Sequence, residues 1–89
     1  MAAFYFVYFD RLASATDEAV NEAMNKSLDW YRINKTTWIH YSSSDPEKIY
    51  ARLAPLVKDT GNVFICELNI EKRQGWMKRS FWDWLKKER

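Results

Sequence analysis

Hydrophobic residues fill both parities of residues 4–9, Phe4-Tyr5-Phe6-Val7-Tyr8-Phe9, and the run stops at Asp10. A half-wetted strand alternates apolar with polar, so a short unbroken run predicts a central strand covered on both faces, with a carboxylate delivered at its end. The period then changes. Ser14 with Asp17 three residues on matches a capping box. Val20, Ala23, Met24, Ser27 and Leu28 follow at helical spacing, with Glu18, Asn21, Glu22, Asn25 and Lys26 opposite, which predicts a helix with one face on a sheet. Trp30-Tyr31-Arg32-Ile33 and Thr36-Thr37-Trp38-Ile39-His40-Tyr41 flank Asn34-Lys35, the pattern of a hairpin with a two-residue turn.

Asp45 and Pro46 supply an N-cap and a proline at the first helical position. Ile49, Leu53, Leu56 and Val57 form the stripe of a second helix, which Pro55 is expected to kink or stop near Ala54. Turn chemistry in residues 59–62 precedes residues 63–70, a last strand whose later half alternates as an edge or half-covered strand does. The order is β-α-β-β-α-β. It predicts an α+β, ferredoxin-like domain: a four-stranded antiparallel sheet with two helices on one face and the first and third strands central. Residues 72–89 remain, in which Gln74-Gly75-Trp76 makes a turn. Ser80 and Asp83 suggest another capping box, opening a Trp-rich helix whose Phe81, Trp84 and Leu85 must cover the open face of the sheet or that of a second subunit.

Eighty-nine residues make one domain, with residues 1–71 as its core and 72–89 as an extension. A chain this short buries only about 60–65% of its unfolded surface, so its stability must come from its large side chains, five Trp, five Tyr and five Phe. Cys66 is the single cysteine; it excludes an internal disulfide and suits a reducing cytoplasm. No stretch is long and apolar enough to span a membrane, and the N-terminus has no signal-peptide pattern, so the expected location is cytoplasmic. Charge is uneven: residues 1–71 carry net −3 and residues 72–89 net +5. A basic tail attracts phosphates, or else forms a solvated helix face.

Asp10 leads the candidate chemistry. A rigid strand end can present a carboxylate to Mg²⁺ or Mn²⁺, which polarises a phosphodiester and acidifies bound water. One carboxylate per chain is a poor hard-metal site, so two would have to meet across the axis of a homodimer. The plainer reading is that Asp10 caps a loop or pairs with Arg11 or Arg32. His40, the only histidine, serves as a general base if it lies near Asp10, and otherwise as a packing or surface residue. Trp30, Tyr31, Trp38 and Tyr41, with Arg32 and Lys35 between them, make either a stacking surface for single-stranded RNA or DNA or plain core. Arg11, Arg32, Lys72, Arg73, Lys78, Arg79, Lys86, Lys87 and Arg89 are the phosphate-contact candidates. Trp76, Phe81, Trp82 and Trp84 are the candidates for a protein-partner interface. Phosphate loops, nucleophile elbows and metalloprotease helices are absent.

Tyr8-Phe9-Asp10, Trp30-Tyr31 before Thr36-Thr37-Trp38-Ile39, Leu53-Ala54-Pro55-Leu56, and Gln74-Gly75-Trp76 with Phe81-Trp82-Asp83-Trp84-Leu85 give the chain a resemblance to the small bacterial "SinR family" proteins over nearly its whole length. Their layout is similar to the CRISPR-associated spacer-acquisition nuclease family and to VapD-type ribonucleases. The resemblance implies a ferredoxin-like homodimer with Asp10 at the position of the CRISPR family's metal-binding aspartate, and hence a metal-dependent phosphodiesterase. The Trp-rich helix after the last strand departs from the CRISPR-family pattern. The same fold also serves non-enzymatic interaction modules such as antitoxins, adaptors or phage-borne inhibitors, which stand as the alternative.

Overall fold

The computed structural model describes residues 2–10, 15–57 and 61–89. Along them run β1 (Ala3–Phe9), α1 (Asp17–Met24), β2 (Asp29–Arg32), β3 (Thr37–Ser42), α2 (Pro46–Val57), β4 (Val63–Leu68) and α3 (Arg79–Lys86). The strands form one antiparallel sheet in the order β2-β3-β1-β4. The most apolar strand, β1, is therefore an inner one, with β3 beside it, as the sequence predicts. This is an α+β architecture whose strand order and helices are compatible with a ferredoxin-like fold.

Register sorts the side chains. Tyr5, Val7 and Phe9 of β1 share a face with Trp38, His40 and Ser42 of β3, and all six are buried. Val20 and Met24 of α1 and Ile49, Leu53 and Val57 of α2 close this face and complete the core. Phe9 stacks on Trp38 at 4.8 Å, and the Arg32 guanidinium lies over the Trp38 indole at 4.7 Å. A fully enclosed side chain of this size contributes about 1.5–3 kcal/mol, so these residues carry much of the stability of a small domain.

The opposite face takes α3. Trp84 meets the edge of Phe4, Phe81 meets Tyr31, and Leu85 is buried. Arg89 then folds back, with its guanidinium over Tyr41 at 4.9 Å, Trp84 at 4.7 Å and Phe4 at 5.4 Å and an ion pair of 2.8 Å to Asp29. Burial works to raise the Asp29 pKa, but the Arg89 hydrogen bond, aided by the Trp30 backbone N–H and Lys87, brings it below the usual carboxylate value. The terminal aromatics thus cover part of the sheet's open face. Phe4, Phe6 and Tyr8 are only half-buried there, less enclosed than an unbroken apolar run suggests.

Local capping differs from the expected pattern in several places. Ser14 lies outside the described residues, and the α1 N-cap is Thr16, whose Oγ1 accepts from the Ala19 N–H at 3.1 Å. That helix stops at Met24. Leu28, expected on its stripe, is exposed, because its N–H bonds to the Tyr41 carbonyl and turns the side chain outward. The hairpin loop is longer than two residues. Both Ile33 and Asn34 donate to the Thr37 carbonyl, and the Asn34 side chain accepts from the Thr36 N–H, an Asx arrangement that takes over the role of a tighter turn.

Pro55 does not stop α2, which runs on to Val57. Leu53 and Val57, on either side of the proline, are both anchored in the core, which holds the helix through it. Ser80 does not cap α3 either. The N-cap is Lys78, without a side-chain bond, and Ser80 Oγ is held instead by the Tyr31 hydroxyl at 2.7 Å. Among the described residues, no helix is long and apolar enough to cross a membrane.

Candidate functional site

Asp10 follows the carboxyl end of β1, where its N–H donates to the Asn62 carbonyl at 2.9 Å. Its carboxylate accepts from the Tyr8 hydroxyl at 3.0 and 3.1 Å and, more weakly, from Asn62 Nδ2 at 3.4 Å. The hydrogen bond to Asp10 holds the Tyr8 phenol above its ordinary pKa, with burial and the carboxylate's charge adding to it. Gly61 makes this approach possible. A Cβ there would sit 2.4 Å from the Asp10 carbonyl oxygen and 2.8 Å from Val57 Cγ1, so no larger residue fits without moving backbone.

Beyond the carboxylate opens a cleft of about 640 Å³, lined by Asp10 and Asp17 on one side and by Arg32, Lys35 and the hairpin loop on the other. The structure therefore brings Asp10 and Arg32 into one cleft but pairs Asp10 with Tyr8 and Asn62. Arg32 spends its guanidinium on the Asn34 and Lys35 carbonyls and on the Trp38 ring. Arg11 lies outside the described residues. No three His, Cys, Asp or Glu residues come together to hold a metal among the described residues.

His40 is not near this cleft. It pairs in register with Tyr5, five residues and about 16 Å along the strand from Asp10, on the face that the helices cover. It is 1% exposed, with Nδ1 hydrogen-bonded to Ser27 Oγ at 2.7 Å and Nε2 against Met24 Sδ at 2.9 Å. Burial, aided by the charge of Arg52, lowers its pKa to about 4. Acid and base are thus kept apart, and the imidazole is neutral at neutral pH.

The basic residues fall into two groups. Lys87 and Arg89 converge on Asp29; the Arg89 side chain is only 11% exposed and holds α3 to the sheet rather than facing solvent anions, while Lys87, 61% exposed, adds a long pair of 3.5 Å. Lys72, Arg73, Lys78 and Arg79 are exposed. Arg79 forms only a loose, solvated pair with Asp83, and Arg73 uses one Nη on the Ile70 carbonyl.

Between them stands Trp76, 98% exposed. Of the four interface candidates, Phe81 and Trp84 face inward to the sheet and Trp82 lines a cavity, while Trp76 alone projects fully into water. The hairpin aromatics do not form an open stacking surface: Trp38 is core, and Tyr31 is covered by Phe81 and Trp84. Compared with known proteins, the chain matches no family model, no curated protein and no solved structure.

Sequence reasoning did not find Tyr8, Asn62 and Asp17 as neighbours of Asp10, or the pairing of Arg89 with Asp29. Strand parity carries the signal for the last. Asp29 shares a face with Tyr31, the face that must be covered if Phe81 and Trp84 are to be buried.

Proposed function

We propose that this ferredoxin-like domain binds single-stranded nucleic acid on the segment between β4 and the start of α3. Lys72, Arg73, Lys78 and Arg79 contact phosphates, and Trp76 stacks on a base. The observation that carries the reading is the exposure of Trp76 within a run of four cations. Tyr50 and Phe64 are partly exposed, but this indole alone stands almost wholly in water, and an indole flanked by cations is complementary to an unstacked base and its phosphates. The ring needs an open base face, which a duplex does not offer, hence the single strand.

Anisotropy titrations with labelled RNA and DNA decamers at several salt concentrations test this. Expected are an affinity that falls steeply with salt and a loss of about 5- to 100-fold for Trp76→Ala, the range of one base–aromatic stack. Absence of binding at low salt would leave the protein-interaction reading, in which Trp76 and Trp82 dock onto another protein.

A hydrolytic version of the same reading is favoured by one further observation, that Asp10 and Asp17 line a single cleft together with Arg32 and Lys35. There a Mg²⁺ or Mn²⁺ ion would take Asp10 as ligand, in keeping with the resemblance to the spacer-acquisition nucleases. Asp10→Asn retains an acceptor for Tyr8, so it should abolish Mn²⁺-dependent cleavage without unfolding the domain. Undiminished cleavage by that variant would dismiss the hydrolytic version.

A further inference from the structure

Between the open face of the sheet and α3 lies a cavity of about 280 Å³. Ile39 and Leu68 form its wall on the sheet, Trp82 and Leu85 its wall on α3, and Lys72 and Arg73 stand among its lining residues. No acidic residue lines it among the described residues. Two primary amides complete the lining. Gln74 makes no side-chain hydrogen bond among the described residues, and Asn69 uses only Oδ1, to accept from the Glu71 N–H at 3.1 Å, so its NH₂ is open.

Apolar walls that include an indole, free amide groups and paired cations describe a particular kind of guest: a flat heteroaromatic ring with hydrogen-bonding edges and an attached anion. A fatty acid would make no use of either amide, both of which are exposed, and an acidic peptide side chain would leave the indole wall empty. The cavity lies just below the usual range for drug-sized ligands, which suits a single base.

We infer that this cavity is a base-binding subsite. One nucleobase of a bound single strand enters between Leu68 and Trp82, its edge meets Asn69 and Gln74, and its phosphate rests on Lys72 and Arg73. The inference rests on the nucleic-acid reading above and deepens it, because it assigns base selectivity to a place apart from the stacking surface of Trp76.

The test uses the full chain, ¹⁵N-labelled, titrated with an RNA decamer and with an abasic decamer of equal charge. The base-bearing strand should shift the amide signals of Leu68 and Asn69, and the abasic strand should shift only those around Lys72 and Arg73. Leu68 is half-buried at the end of an edge strand, so Leu68→Trp fills the cavity without touching the core. It should weaken the base-bearing strand about 5- to 100-fold and leave the abasic strand unchanged. Binding of the base-bearing strand that leaves the Leu68 and Asn69 amides in place, or that is as tight to Leu68→Trp as to the wild type, overturns the subsite while the outer basic surface stands. A protein that binds neither strand at low salt removes the nucleic-acid reading as well.

Discussion

Acidifying the protein from pH 7 towards pH 4 should cost it stability through one side chain, His40. The folded state holds this imidazole at a pKa of about 4, against 6.5 for an unperturbed histidine, because burial and then Arg52 disfavour its charge. Between those two values the unfolded chain takes up a proton that the folded chain refuses, so stability is complete above pH 6.5, falls as the pH drops, and stops falling from this source near pH 4. A gap of about 2.5 units at 1.36 kcal/mol each amounts to about 3 kcal/mol, a large part of the 5–15 kcal/mol typical of a small domain. Urea unfolding followed by tryptophan fluorescence at pH 7, 6, 5 and 4.5 measures the slope. His40→Gln, which keeps a partner for Ser27, should flatten it. Asp29, whose pKa is lowered, loses its contribution only below the ordinary carboxylate range and does not interfere above pH 4.5. An imidazole that titrates near 6.5 by NMR, or equal slopes in wild type and His40→Gln, would refute the argument.

Other substitutions probe other parts of the fold. Gly61→Ala drives a methyl against the Asp10 carbonyl and Val57, and should lower stability in thermal melts by about 1–3 kcal/mol. Arg89→Ala removes the guanidinium from its three rings and from Asp29; hydrogen exchange of the α3 amides should quicken by an amount corresponding to about 1–3 kcal/mol while that of β1 and β3 is unchanged. Trp76→Ala, in contrast, should leave the melting curve within about 0.5 kcal/mol of wild type, since the ring touches little. A clear destabilisation by that change would mean that the indole packs in solution.

The architecture is legible in the sequence because it depends on hydrophobic period. The doubly apolar run of residues 4–9 announces an inner strand, and the stripe through Ile49 and Leu53 announces a helix with one buried face. Details that depend on which polar group finds which partner are not legible in this way. Ser80 sits in a good capping position yet is taken by Tyr31, forty-nine residues away. Arg89 reads as one more phosphate contact and is instead enclosed by rings from three separate elements. The same limit applies to the candidate site. Asp10 is visible as a strand-end acid and Tyr8, two residues before it, shares its face by strand parity, but its amide donor Asn62 is identified only once β1 and β4 are in register.

The pairing order of the sheet also governs how the chain must come together as it is made. β1 bonds to residues 37–42 and 63–68, so its ribbon of rings leaves the ribosome well before either neighbour exists. During that interval its backbone groups are unpaired and its aromatics meet only water and other nascent chains, the conditions under which short apolar β-segments self-associate. Expression at low temperature, or with a holdase chaperone that shields the emerging N-terminal residues, should therefore raise the soluble yield more than any change to the surface of the finished protein.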